Sequence, residues 1–494
     1  MKNKYLKSFL ALLTGNGFSQ LINLIFIILL VRIMSVEYYA VYRQGNLLIM
    51  TFAPILTLGL SMSISYFVPK CETRDEKKTY VFQTAAILLI MGIIWFVLVM
   101  SLSGFISETY NNPLLKKYLW VFGITGLSTN LFSFYPFFMC AEGMNRRLAK
   151  IVIFFALIKC ATIPVYYISG YNINVFFGAF VATELLKSIF ISFDTMRYYK
   201  GTKPKFTKKT FFTQIKFGIP IALTNMVTAY NKNIDKNFVS VSNTPDLYAT
   251  YSNGAFEVPL ISAIRQSMTG AFLPLFSKEY DVNKQESLDN IANVFKKAAT
   301  YSAVVILPLM FSLILYSKGA MLFMFSEKYI SATPIFIIYL LLLPTQITDF
   351  GTPLVVAGKQ KYTVMFRVVG AVLNTILCTV LSIIFKDYRL IALAPVLTEY
   401  FVVIATLIKT SRIFKQKKLF AFLPGAGLMK IALVCIGVCA VFYFAGGYIS
   451  IAEPYRSMIL GPLCFTACVV PCMMMFDYTR NMLVNIIKKL LRRN

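Results

Sequence analysis

Apolar runs of roughly twenty residues recur from one end of the chain to the other, and each is long enough to cross about 30 Å of hydrocarbon. Short polar clusters separate them. The runs fall near 9–33, 46–69, 80–106, 118–141, 151–169 and 173–194, then, after a long basic loop, near 214–240, 250–276, 297–317, 332–357, 362–385 and 389–410, and finally near 428–448 and 456–477. This pattern predicts an all-α integral membrane protein of about 14 transmembrane helices. It divides into an N-terminal lobe over 1–194, a basic linker over 195–213, a second six-helix lobe over 214–410, a helix pair over 428–477 and a basic tail over 478–494. No small-residue cleavage site ends the first run, which is expected to remain as the first helix.

Composition excludes a water-soluble fold. The 494 residues are 57% hydrophobic and 14% charged with a mean hydropathy of +0.67, whereas soluble domains carry about 25% charge. The net charge of +28 is unevenly placed: one alternating set of loops, with both tails, holds 32 Lys and Arg, and the opposite loops hold nine. Cytoplasmic loops retain such charge, so both termini are expected in the cytoplasm of a bacterial inner membrane. Topology and attraction to anionic membrane lipid then account for the basicity without a nucleic-acid partner.

The chain contains no histidine, which removes histidine-based catalysis, and no glycine-rich phosphate loop of the Walker type. Neither a cofactor nor a catalytic residue is expected. Cys464, Cys468 and Cys472 recur every four residues on one helix face, and with no histidine or acid beside them they read as small-residue packing rather than a metal site. The aromatic stretch Phe132-Ser133-Phe134-Tyr135-Pro136-Phe137-Phe138 reads as lipid-facing or interfacial packing. A polar stripe of Asn16, Gln20 and Asn23 on the first helix is expected to face a cavity or a neighbouring helix.

An internal repeat joins the two halves. Tyr39-Ala40-Val41-Tyr42-Arg43-Gln44-Gly45 matches Tyr248-Ala249-Thr250-Tyr251-Ser252-Asn253-Gly254, and a weaker echo relates Ala141-Glu142-Gly143 to Ala357-Gly358. Because six is even, both halves enter from the same side, and the repeat predicts a pseudo-two-fold axis along the membrane normal. Around the first copy, Leu29-Leu30-Val31-Arg32-Ile33-Met34-Ser35 followed by Glu37-Tyr38-Tyr39 resembles the opening of bacterial polysaccharide-export proteins, the Wzx-type O-antigen flippases. Asn233-Ile234-Asp235-Lys236 ahead of Pro245-Asp246-Leu247-Tyr248 resembles that family's second-half opening, with Lys236 where an arginine is common. The wider superfamily also holds multidrug and toxin extrusion (MATE) transporters and lipid II flippases. The resemblance implies a two-lobed, alternating-access carrier of an undecaprenyl-diphosphate-linked oligosaccharide working beside other polysaccharide assembly proteins. It also suggests coupling to H⁺ or Na⁺, as in some relatives, with uncoupled, downhill flipping as the alternative.

Charges inside the spans are the candidate site, because each costs about 2.5–3.5 kcal/mol at a helix centre unless it faces protein or water. Arg265, Lys232, Lys236, Lys159 and Arg367 are candidates to bind a diphosphate through charge-assisted hydrogen bonds. Arg265 is the strongest of them, being too deep in its run to reach either surface. Asp235, Glu257 and Glu399 are coupling-ion candidates, with Glu257 and Arg265 expected on roughly one side of the eighth helix. Glu184 and Lys187, one turn apart, are expected to pair with each other. Lys216 and Lys430 read as interfacial anchors. A drug antiporter would favour an acidic cavity, and a membrane polymerase or ligase would carry a long outer loop, whereas the outer loops here are mostly short.

Overall fold

The computed structural model describes residues 2–204, 207–258, 261, 265, 276, 279–448, 451–477 and 479–480, with side chains from residue 17 onward. Most of the tail and of the run near 250–276 lies outside the described residues. Among the described residues every regular element is helical, and the chain forms two compact units, Met1–Ala249 and Thr250–Asn494. Among the described residues, eight helices are long and apolar enough to cross a bilayer, or nine with one bent pair counted as a single span. The fourteen-span pattern exceeds that number because several spans are interrupted, polar or only partly described.

In the first unit the helices are α1 (Lys2–Ile33), α2 (Val36–Leu56), α3 (Leu60–Phe67), α4 (Arg74–Ser101), α5 (Ser103–Thr109), α6 (Pro113–Phe132), α7 (Phe134–Ala141), α8 (Asn145–Ile168), α9 (Ile173–Tyr198) and α10 (Lys208–Ser242). Helix α2 starts ten residues before its apolar run: Glu37 and Arg43 lie away from the packed face, while Gln44 is buried among polar partners. It is bent by 47° from the following segment at Leu58 and Gly59, both with positive φ. Gly59 carries that bend without a Cβ penalty and lets the Gly218 carbonyl of α10 approach closely.

Helix α10 lies against α2 and α3, so the compact first unit extends past the basic linker to Ala249. Polar side chains hold it at successive levels. Fully buried Gln214 donates from Nε2 to Ser63 Oγ and Thr84 Oγ1, both at 3.0 Å. Asn237 donates to Thr51 Oγ1 at 3.0 Å, and Gln44 donates to Ser240 Oγ at 3.1 Å while accepting from Asn112 at 2.7 Å.

The loop segments sort by end. Lys78 donates to the carbonyls of Tyr199 and Thr202, Lys77 sits 3.5 Å from Glu142, and Arg147 pairs with Asp194. Segments 70–79, 142–147 and 194–202 are therefore gathered at one end of the unit. The aromatic stretch differs from its sequence reading: Phe134, Tyr135 and Phe138 are at most 1% exposed and form the internal core, with the Tyr135 hydroxyl donating to Asp194 at 2.7 Å. A hydroxyl needing a partner draws the cluster inward.

Continuing in the second unit after α11 (Pro245–Gly254), which crosses the boundary, are α12 (Gln285–Leu315), α13 (Ser317–Phe325), α14 (Thr333–Leu340), α15 (Thr352–Val356), α16 (Gln360–Phe385), α17 (Leu393–Ile413), α18 (Gly425–Gly447) and α19 (Tyr455–Met474). Helix α12 is the hub, contacting α18 and α19, while α16 packs on α17. The backbone leaves the helix after Gly254, and Phe256, Glu257 and Val258 are non-helical. The single eighth helix expected over 250–276 is thus interrupted, because Pro259 disfavours the α conformation at the residue before it. Glu257 and Arg265 do not share one continuous helix.

The repeat is a packing repeat. Helices α2 and α11 start at Val36 and Pro245, at the same spacing as the motifs, and Tyr39, Ala40, Tyr248 and Ala249 are at most 1% exposed. A methyl group placed on Gly45 would lie 2.3 Å from the Phe122 ring of α6, and one on Gly254 would lie 2.6 Å from Ile335 Cβ of α14. Each motif ends on the glycine that lets its helix touch the corresponding partner in its own unit. Gly45→Ala and Gly254→Ala are each expected to destabilise by about 1–3 kcal/mol, read as a lower thermal midpoint in detergent. Gly178→Ala in α9, with nothing within 4 Å, is expected to leave the midpoint unchanged or raised.

Candidate functional site in the first unit

Helix α8 presents Val152, Phe155, Ala156 and Lys159 at intervals of three, one and three residues, which places them on one face. Across from it α9 brings Thr183, Glu184 and Lys187, α1 brings Ser19 and Asn23, and α6 closes the space with Phe132. These side chains enclose a cavity of about 200 Å³. Helices α8 and α9 are both among the membrane-crossing set, so the polar lining lies within the spanning layer.

Two lysines and one carboxylate set the electrostatics of this cavity. Lys187 pairs with Glu184, their side chains 16% and 11% exposed. Ser128 steadies the acid, donating to Glu184 Oε2 at 3.1 Å while Ser188 donates to Ser128 at 2.8 Å. Lys187 also sits 5.2 Å from the Phe132 ring centroid, and the Lys159 ammonium lies 4.9 Å from Phe26 and 5.3 Å from Phe180. Aromatic faces hold cations without neutralising them. Two lysines against the one carboxylate of Glu184 leave the lining with one net positive charge.

Of the residues singled out from sequence, Lys159 lines this cavity, and the Glu184–Lys187 pair forms as the one-turn spacing predicts. On α10, also in the first unit, Lys232 is exposed, Asp235 fully buried and Lys236 half-buried. The second unit holds the others. Arg265 is half-buried at a helical position whose neighbours lie outside the described residues, Glu257 is exposed in the non-helical stretch, and Arg367 and Glu399 are half-buried on α16 and α17. Asn23 of the polar stripe reaches the cavity, Gln20 is exposed, and the Asn16 side chain is outside the described residues.

Sequence reasoning missed Ser19, Thr183 and Phe132. Phe132 was hidden by its neighbours, since the rest of its aromatic stretch belongs to the core. The face of α8 that ends on Lys159 was the available signal for the cavity, but its opposing helices could not be paired from one sequence.

The model of a family described as polysaccharide biosynthesis protein matches residues 11–334. A comparison with curated protein sequences gives no match. Among solved structures, the fold is similar to that of the lipid II flippase MurJ in an inward closed conformation, with a TM-score of 0.70 at 16% identity, covering 95% of this chain and 99% of that one. It is also similar to an inward-facing multidrug resistance MATE family transporter of the MOP superfamily, with a TM-score of 0.61 at 13% identity, covering 83% and 100%. A third is the MATE multidrug transporter DinF-BH, with a TM-score of 0.58 at 15% identity over 84% and 97%. At these identities the likeness is one of fold.

The buried pair makes a stability prediction. Lys187→Met leaves Glu184 charged and without its cation, and is expected to cost about 3–5 kcal/mol, whereas the double variant Lys187→Met/Glu184→Gln recovers most of that loss. Thermal unfolding of the four proteins of this cycle in one detergent measures the coupling; additive losses would contradict it.

Proposed function

The chain belongs to the polysaccharide biosynthesis protein family, and from that membership we propose that it is a flippase. It moves an undecaprenyl-diphosphate-linked oligosaccharide, an O-antigen, capsule or exopolysaccharide repeat unit, from the cytoplasmic to the outer leaflet by alternating access. The observation that carries this reading is the cationic cavity inside the spanning layer, where Lys159 and Lys187 face the single carboxylate of Glu184 and leave one net positive charge on the lining. A diphosphate entering the bilayer loses its hydration, and an ammonium held by aromatic faces replaces part of it with a charge-assisted hydrogen bond. The amides and hydroxyls of Asn23, Ser19 and Thr183 suit the hydroxyls of a sugar.

In this reading Lys232, Lys236, Arg265 and Arg367 are further basic contacts along the route of the head group. Asp235, Glu257 and Glu399 are the carboxylates through which H⁺ or Na⁺ would bias the inward-to-outward equilibrium. The protein works in the bacterial inner membrane with both termini cytoplasmic, as the loop charges direct. A lining with net positive charge is the reverse of what a MATE-type exporter of cationic drugs requires, and the group transferred is the whole lipid-linked sugar, with no bond made or broken.

Purified protein in liposomes tests this with a fluorescent undecaprenyl-diphosphate oligosaccharide placed in one leaflet. The wild type is expected to move it to the other leaflet with unchanged mass. Lys159→Met and Arg265→Ala are each expected to lower that rate at least tenfold while leaving membrane insertion intact. A product of new mass would identify a polymerase or ligase instead, and wild-type rates in both variants would refute the assignment.

A further inference from the structure

Five of the nine cysteines converge in the second unit. Helix α18 carries Cys435 and Cys439 one turn apart, and α19 carries Cys464, Cys468 and Cys472 on successive turns; the two helices pack on each other and both pack on α12. The Sγ atoms of Cys439, Cys464 and Cys468 lie within 4.8 Å of one another, with Cys439 and Cys464 3.7 Å apart. Cys464 and Cys468 are fully buried, Cys439 is half-buried, and all are free thiols. Small-residue packing explains one face of α19 but not why the facing positions of α18 are also cysteines.

We propose that Cys439, Cys464 and Cys468 form a binding site for a soft monovalent metal cation of the Cu(I) class. Three sulfurs around one metal at about 2.3 Å stand about 4 Å apart, close to the spacing found here. All-sulfur donors with neither imidazole nor carboxylate select soft cations. Charge separates the two obvious metals. A monovalent cation displaces a single proton from one thiol, which leaves to solvent, and the resulting thiolate–metal unit is neutral while two thiols donate lone pairs. Zn²⁺ would have to release two protons and gather a fourth donor to reach the same neutrality in its tetrahedral site. In a low-dielectric layer the neutral, three-donor arrangement is favoured. Bound there, the cation fastens α18 to α19 beside Ser312 of α12.

The test uses the full-length protein in detergent with reduced thiols, titrated without oxygen against Cu(I) held by a coloured chelator. One Cu(I) per chain is expected to pass from chelator to wild type, with a raised thermal midpoint. Cys464→Ser and Cys468→Ser are each expected to weaken uptake at least tenfold, while the combined Cys71→Ser, Cys140→Ser and Cys160→Ser variant behaves as wild type. X-ray absorption of the loaded wild type, which depends on no variant, is expected to show sulfur-only coordination. The proposal is overturned if the wild type takes no Cu(I), if uptake follows Cys71, Cys140 and Cys160, if nitrogen or oxygen ligands appear, or if equimolar Zn²⁺ displaces Cu(I).

Discussion

Hydrocarbon offers no hydrogen bonds to a side chain within it, so each polar group in a spanning helix must find its partner inside the protein. The interior of this chain is organised around that demand. Gln214, Asn237 and Gln44 bind α10 to the first unit, Ser128 and Lys187 enclose Glu184, and Tyr135 reaches Asp194. Apolar contact alone would not choose between one helix neighbour and another, since lipid tails are as apolar as Leu. Buried polar partners make that choice, and the cavity exists where the partnering is incomplete in charge.

Helix class was legible because hydropathy reads directly on the physics of insertion. The repeat was legible because Tyr39 to Gly45 and Tyr248 to Gly254 perform the same packing task twice. The pairing of Glu184 with Lys187 followed from helical periodicity alone. What the sequence could not convey was which face meets which. The cavity joins Asn23, Phe132, Lys159 and Lys187 from four helices, and no local pattern links positions so far apart in the chain. Hydropathy also cannot distinguish a core aromatic such as Phe134 or Phe138 from a lipid-facing one.

The interruptions in the spans follow the same physics. Leu58 and Gly59 break one span where α10 crosses, and the chain leaves the helix again after Gly254, ahead of Arg265. Free backbone groups at such breaks are tolerated within a membrane only where protein or a water-filled cavity surrounds them. Unbroken helices such as α16 and α18 are, by contrast, largely exposed in the structure, as a lipid-facing wall would be.

The polar seam along α10 also bears on how the molecule is made. Gln214 and Asn237 complete hydrogen bonds for Ser63, Thr84 and Thr51, residues synthesised well over a hundred positions earlier. Until the ribosome has passed Ser242, those hydroxyls await a helix that has not yet left the insertion machinery, and the first six spans form an unfinished assembly. The basic stretch 195–213 thus lies within the first compact unit rather than between the two.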